Sequence, residues 1–269
     1  MSAQVRNAFR RWGRNITLSA ACQEPQIMSE FQLQTQAIKS NGFRWMNSDA
    51  YLFDIDGTLL ISRDRVHRNA LHQAMREAYG VDTTIDGIAY HGKTDLGILR
   101  AALDRAGISG DRFDANLPAA LEVICREVSA NASHITPTVC SAIPQVLREL
   151  QAAGKLLGLA SGNLESVGWL KVEAAGLRDF FSFGCFSDQH ESRADIFRQA
   201  VTEAQRRLGE SAQACFIGDT PEDVKAARLA NSKIVAVCTG IFTADELACH
   251  EPDACAASCA ELLTSNSRR

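Results

Sequence analysis

No run in this chain of 269 residues is long and apolar enough to cross a bilayer, so a helical membrane span is excluded from the reading. Basic residues are nowhere clustered among aromatics and the net charge is only -4, so no nucleic-acid surface is indicated. Cys-x-x-Cys is also missing. The nine cysteines include Cys185, Cys215 and Cys238, which sit in apolar, strand-like runs where a thiol behaves as a small hydrophobe. A reducing cytoplasm therefore suits the chain better than a disulfide framework. Cys249, His250, Cys255 and Cys259 gather near the C-terminus, but their spacing matches no common structural zinc pattern.

Acidic residues are absent before Glu24, where Arg6, Arg10, Arg11 and Arg14 stand among Ser, Asn and Gln. An Arg-rich, acid-poor start has the character of an organelle presequence; a disordered tail or a start codon upstream of the true one would look the same. Residues 1–45 are accordingly expected to lie outside the fold as an extension, with Met46 just ahead of the first strand.

With 46% hydrophobic residues the chain can bury one large core, or a core with a smaller insert. The most informative stretch is Asp54-Ile55-Asp56-Gly57-Thr58. Apolar Ala50-Tyr51-Leu52-Phe53 precedes it, so Asp54 falls where a buried strand emerges at its C-terminal edge, the ligand-binding edge of open α/β sheets. Side chains alternate along a strand, which predicts that Asp54 and Asp56 share a face. Two converging carboxylates repel each other and any phosphate, and a divalent cation, Mg²⁺ by its hardness, would reconcile them. Gly57 allows a tight turn, and Thr58 offers a hydroxyl and an N–H to a phosphate oxygen. A solvated Asp-Gly turn is the other explanation of the same residues.

Helical periodicity follows, in Val66 to Ala78, Leu96 to Ala106 and Leu117 to Val128, with no strand-like segment over residues 64–132. About four short helices are expected there as an insert. Strands and helices then alternate: a strand over 155–160, a helix over 165–175, a short strand over 183–186 and a helix over 193–208. A strand over 214–217, a helix over 221–229 and a strand over 233–237 continue the rhythm. The expected fold is α/β, a doubly wound, Rossmann-like parallel sheet core (residues 46–62 and 138–265) under an all-helical cap (residues 63–137).

Three later motifs fall at strand ends. Ala160-Ser161-Gly162-Asn163 presents a hydroxyl and backbone N–H groups to an anion, or merely caps the next helix through Asn163. Phe216-Ile217-Gly218-Asp219-Thr220-Pro221-Glu222-Asp223 ends a buried strand in a carboxylate, with Asp223 either satisfying the helix N-terminus or orienting a cation. Between them Arg193 opens a helix; it is either a solvated side chain or the fixed cation that phosphoryl transfer needs.

Taken in order, DIDGTLL, ASGN, the Arg193 segment and GDTPEDV resemble the four motifs of the haloacid dehalogenase superfamily, over most of residues 48–264. Small-molecule phosphatases similar to phosphoglycolate phosphatase look nearest, and Gly92-Lys93-Thr94-Asp95 and Trp169-Leu170-Lys171 resemble one branch of them. The resemblance implies Asp54 as the nucleophile that becomes an aspartyl-phosphate and Asp56 as general acid and base. It implies Mg²⁺ held by Asp54, the Asp56 backbone carbonyl and Asp219. It further implies phosphoryl binding by Gly57, Thr58, Ser161, Gly162 and Asn163, and Asp223 in support. Arg193 would stand where most relatives carry Lys, a planar fork in place of a point charge. His91, Lys93 and Asp95 are the candidate cap residues for selecting a small phosphate ester, a solvated cap face being the other and commoner explanation of the same residues. A carboxylate at Asp56 argues against dehalogenation, whose leaving halide needs no proton. A sugar phosphomutase, a phosphonoacetaldehyde hydrolase using Lys93, and a non-catalytic interaction protein remain open. No oligomeric state is set by the sequence.

Overall fold

The computed structural model describes residues 39–40 and 43–264. In chain order these form β1 (Lys39–Ser40), β2 (Ala50–Phe53), β3 (Leu60–Ile61), α1 (Val66–Tyr79), α2 (Asp95–Arg105), α3 (Gly110–Ala130) and β4 (Thr138–Val139). Then come α4 (Ile143–Ala152), β5 (Leu156–Ala160), α5 (Glu165–Ala174), β6 (Phe183–Cys185) and α6 (Arg193–Leu208). The chain continues through β7 (Ala214–Gly218), α7 (Pro221–Leu229), β8 (Lys233–Val237), α8 (Ala244–Ala248), β9 (Ala254–Ala256) and α9 (Cys259–Thr264).

The seven-stranded sheet runs β1-β9-β8-β7-β2-β5-β6. Every pairing is parallel except that of the short edge strand β1 with β9. The α/β architecture expected from the alternating pattern is the one found.

Alternation along the strands builds two apolar faces. Tyr51 and Phe53 of β2, Leu157 and Leu159 of β5 and Ile217 of β7 pack against Val146, Leu147 and Leu150 of α4. Ala50 and Leu52, one residue out of phase, join Phe216, Ile196 and Phe197 on the opposite face, where the Phe197 and Phe216 rings stack with centroids 4.0 Å apart. Strands covered on both sides can be apolar throughout, as β2 is at all four positions.

The residues between β3 and β4 form a third core. Ala70, Leu71, Ala74 and Met75 of α1 meet Leu99 and Leu103 of α2 and Phe113, Ala120 and Ile124 of α3. Three α-helices and a 3₁₀ turn at Ala132–His134 make up this insert. Its entry and exit are clipped together by β3 and β4, a two-stranded antiparallel ribbon pairing Leu60 with Val139. The insert also shares Leu164 and Val167 with the N-terminal part of α5, so it is seated on the strand-edge side of the sheet.

The start of the fold differs from expectation. Met46 does not open it: β1 adds Lys39 and Ser40 to the sheet, and Trp45 is buried with its ring T-shaped against Tyr51 at 5.5 Å. The Tyr51 hydroxyl donates to the Trp45 carbonyl at 2.5 Å. The remaining expectations for residues 1–38 lie outside the described residues. No helix among the described residues is long and apolar enough to cross a membrane.

Candidate active site

β2 occupies the point where the strand order reverses, with β5 on one side and β7 on the other. Phe53 is level with Leu159 and with Ile217, so the residues leaving β2, β5 and β7 emerge together. Those residues are Asp54, Ser161 and Asp219. Three motifs from distant parts of the chain thereby share one edge.

β2 ends at Phe53, and this changes the geometry expected of the two aspartates. Asp54 is turned into the protein at 5% exposure, whereas the Asp56 side chain is 42% exposed. The strict alternation assumed for a strand does not continue past Phe53, because Gly57 adopts φ 90 and folds the chain back so that its N–H donates to the Leu60 carbonyl at 2.8 Å. A Cβ at Gly57 would meet Asp219 Oδ2 at 2.3 Å, so only glycine permits both the turn and the close approach.

Asp54, Asp219 and Asp223 each bring a carboxylate oxygen within 4.8 Å of one another, all three residues buried. Arg193 is the cation facing them. It lies at the start of α6 with 8% exposure, its Nε donating to Asp223 Oδ1 at 2.8 Å and its Nη1 to the Gly92 carbonyl at 3.2 Å. Its Nη2 is 2.8 Å from Asp54 Oδ1 and 2.6 Å from Asp223 Oδ1, at ion-pair distance but off the hydrogen-bonding direction to both. The solvated alternative for Arg193 is thus excluded. Flanking negative charge holds its guanidinium protonated against the cost of burial.

Burial pushes Asp54 up to about 6, with Arg193 opposing and the neighbouring carboxylates adding to the rise. Burial and the charges of Asp54 and Asp223 push Asp219 further, to about 8. Three buried carboxylates against one guanidinium leave up to two negative charges in excess. That donor set, all oxygen and short of positive charge, fits a hard dication such as Mg²⁺.

Asp223 fills both roles that its position in the sequence allowed. Its Oδ2 closes a capping box, accepting from the Thr220 N–H at 3.0 Å and hydroxyl at 2.6 Å, while Oδ1 serves Arg193. Thr58 is not directed toward a free anion: its hydroxyl donates to Asp219 Oδ1 at 3.0 Å. Ser161 is buried, and its Oγ accepts from Asn163 Nδ2 at 2.9 Å. Gly162 lies under the helical insert, where a Cβ would meet the Lys93 carbonyl at 2.5 Å, and its own carbonyl accepts from the Asp95 N–H at 2.7 Å. Lys93 and His91 are exposed, the His91 ring 4.3 Å from that of Tyr90. Asp95 is buried instead and belongs to the packing between insert and core.

Two side chains at this edge were given no role from the sequence, although Lys171 closes the Trp169-Leu170-Lys171 phrase. Lys171 of α5 is 5% exposed and donates to Asp56 Oδ2 at 2.7 Å and to Asn163 Oδ1 at 2.8 Å. His67, near the start of α1, stands 3.3 Å from Lys171 Nζ through Nδ1 and 3.0 Å from Asp95 Oδ2 through Nε2. Burial alone would raise Asp56, but Lys171 and Asn163 outweigh it and hold the carboxyl below its usual range. A lysine between Leu170 and Val172, in a helix otherwise apolar around it, was the available clue.

The family model for haloacid dehalogenase-like hydrolases matches residues 48–231, a span that contains every carboxylate just described. The chain belongs to that family. Among curated proteins, this haloacid dehalogenase-like hydrolase is 25% identical over 206 residues to pyrophosphatase PpaX of Bacillus velezensis, covering 76% of this chain and 89% of that protein. Its fold is similar to that of a predicted phosphoglycolate phosphatase from Haemophilus somnus, with a TM-score of 0.61 at 16% identity over 82% of this chain and 98% of the other. It also matches CbbY from Rhodobacter sphaeroides in complex with phosphate, with a TM-score of 0.58 at 19% identity over 80% and 99% of the two chains. At such identities the structural matches speak for the fold.

No helix or strand gathers Cys249, His250, Cys255 and Cys259 into a metal cluster among the described residues: Cys249 is exposed, Cys259 is buried, and Cys255 Sγ lies 3.8 Å from Cys238 Sγ.

Proposed function

We propose that this hydrolase removes phosphate from a small phosphorylated metabolite through an aspartyl-phosphate on Asp54, with Mg²⁺ as cofactor. The observation that carries the reading is the burial of Asp54 at the sheet's switch point, against Arg193 and beside Asp219 and Asp223. A dehydrated carboxylate facing a fixed guanidinium is suited to attack phosphorus, because the same cation can offset charge on the equatorial phosphoryl oxygens.

In the first half of the reaction an Asp54 carboxylate oxygen forms a bond to phosphorus while the bond to the leaving oxygen breaks. That oxygen keeps the electron pair and takes a proton from Asp56. In the second half Asp56, now a carboxylate, takes a proton from water; the water oxygen attacks phosphorus, the bond to Asp54 breaks, and inorganic phosphate leaves. Pairing with Lys171 favours the base form of Asp56, and an incoming phosphate dianion, a like charge, moves it toward the protonated form the first half needs. Asp54, Asp219 and the Asp56 backbone carbonyl would hold Mg²⁺, with Asp223 keeping Arg193 in place. When bound, the cation screens the nucleophile from the phosphate it attacks. Ser161 and the backbone around Gly162 are the groups at the β5 edge suited to bind the transferring phosphoryl group.

Turnover of p-nitrophenyl phosphate, with pyrophosphate assayed beside it because the curated relative is a pyrophosphatase, tests this reading. Activity is expected with Mg²⁺ and is expected to vanish with chelator. Asp54→Asn should lower kcat by at least about a hundredfold, since losing the covalent step costs several kcal/mol of barrier. A folded Asp54→Asn protein that keeps more than about one percent of the rate would show that another group is the nucleophile.

A further inference from the structure

Asp56 is more exposed than the other aspartates of the site, yet one of its oxygens is anchored. Oδ2 accepts from Lys171 Nζ at 2.7 Å and from Asn163 Nδ2 at 2.8 Å, whereas no partner to Oδ1 is found among the described residues. Lys171 has three donors and three acceptors around it: Asp56 Oδ2, Asn163 Oδ1 at 2.8 Å and His67 Nδ1 at 3.3 Å. An ammonium can only donate, so His67 Nδ1 must accept, and the imidazole proton is thereby fixed on Nε2. From Nε2 it donates to Asp95 Oδ2 at 3.0 Å. Asp95, 3% exposed, also accepts the Leu164 N–H at 2.8 Å. Donor and acceptor roles are therefore consistent from one end of the chain to the other.

The members of this chain come from both bodies of the fold. Asp56, Asn163, Leu164 and Lys171 belong to the α/β core, whereas His67 is in α1 and Asp95 opens α2 of the helical insert. Lys171 is the joint between them. It touches neither Arg193 nor the Asp54, Asp219 and Asp223 cluster in any hydrogen bond or ion pair given by the structure, so its role is not to bind the metal or the nucleophile.

We propose that Lys171 is the positioning residue of Asp56, holding Oδ2 so that Oδ1 alone exchanges the proton, and that His67 and Asp95 make this hold depend on the insert being seated. The inference rests on the phosphatase reading given above. With Oδ2 tied on two sides, the carboxyl keeps one rotamer, and the proton donor is aligned with the leaving oxygen before the phosphorus bond breaks. In the step itself the leaving oxygen receives the electron pair of the broken bond together with the proton from Asp56 Oδ1, and Asp56 is left as the carboxylate that Lys171 already pairs. When the insert lifts, Lys171 loses its His67 acceptor, and the placement of Asp56 loosens. Proton transfer is then confined to the closed arrangement.

The test compares kcat/KM for two aryl phosphates of similar size, phenyl phosphate, whose leaving oxygen needs the proton, and 2,4-dinitrophenyl phosphate, whose leaving oxygen does not. Lys171→Met is expected to lose at least about tenfold more on phenyl phosphate than on the dinitro ester, following the pattern of Asp56→Asn. His67→Gln and Asp95→Asn are expected to show the same selectivity at smaller size. A uniform loss on both esters in Lys171→Met, with Asp56→Asn still selective, would reduce Lys171 to a structural part and overturn the proposal. Wild-type selectivity in His67→Gln would overturn the link to the insert. Loss without selectivity in Asp56→Asn itself would instead remove the premise, the acid role of Asp56. Thermal melting of each variant identifies one that fails to fold; should Lys171→Met do so, Lys171→Gln, similar in length and without the charge that pairs with Asp56, is read in its place, and a uniform loss on both esters there overturns the proposal in the same way.

Discussion

Asp219 is the residue on which the metal reading turns. Its carboxylate is buried beside two others, it accepts from the Thr58 hydroxyl, and its neighbourhood leaves no room for a side chain at Gly240, where a Cβ would fall 1.8 Å from Oδ2. A ligand that binds only the folded state stabilises it by about 2.7 kcal/mol at a hundred times its dissociation constant, several degrees in melting temperature for a chain of this size. Mg²⁺ is therefore expected to raise the melting temperature of the wild type at pH 7.5 and to leave that of Asp219→Asn unmoved. Equal shifts in both proteins would place the cation elsewhere. Asp54, Asp219 and Asp223 could be named from sequence, because Asp54 and Asp219 each directly follow an apolar strand and Asp223 falls in the first turn of the helix that Pro221 opens. Lys171 and His67 could not: a lone lysine or histidine on a helix is ordinarily solvated, and only the approach of α1 and α5 makes them partners.

Asp253 shows the same effect among whole elements. Preceding β9, it accepts from the Ile234 N–H at the start of β8, from Lys233, and from Arg228 in the last turn of α7. Burial works to raise its pKa, but those three donors prevail and lower it. A carboxyl with a depressed folded pKa contributes stability that is present above the unfolded value, ~3.9, and is lost as pH falls through the folded one. Asp253→Asn is expected to cost about 1–3 kcal/mol in urea unfolding at pH 7, with the difference from wild type shrinking as the pH is taken below the ordinary aspartate range. A cost unchanged in acid would mean that charge has no part in it. Element boundaries from the sequence were close where caps are explicit: α7 with Pro221 at its start and β8 are found where the pattern placed them, Pro221–Leu229 and Lys233–Val237. The β3 and β4 ribbon was not foreseen, since two residues on each side carry no periodicity and acquire strand geometry only by pairing.

At the scale of the whole molecule, the start of the fold is where sequence and structure part. Trp45 packs on Tyr51 and accepts its hydroxyl, and β1 covers the β9 edge of the sheet. A chain beginning at Met46 would expose that surface and deprive a buried hydroxyl of its acceptor. Its stability should fall by about 3 kcal/mol or more relative to a chain beginning before Lys39, measured by denaturant midpoint at equal slope. Equal stability would show Trp45 and β1 to be peripheral. Nothing in the composition of residues 1–45 marked this, because Trp45 belongs to no periodic run there and gains its meaning only when it meets Tyr51.

The sequence by itself determined the class of fold, the order of the strands along the chain and the carboxylates that stand at their ends, because hydrophobic period, caps and strand-edge motifs are local properties. The tertiary structure decided which of those carboxylates meet. It put Asp54, Asp219 and Asp223 around Arg193 and turned Asp56 away to Lys171, since burial, charge balance and the number of donors in reach are set by residues far apart in the chain.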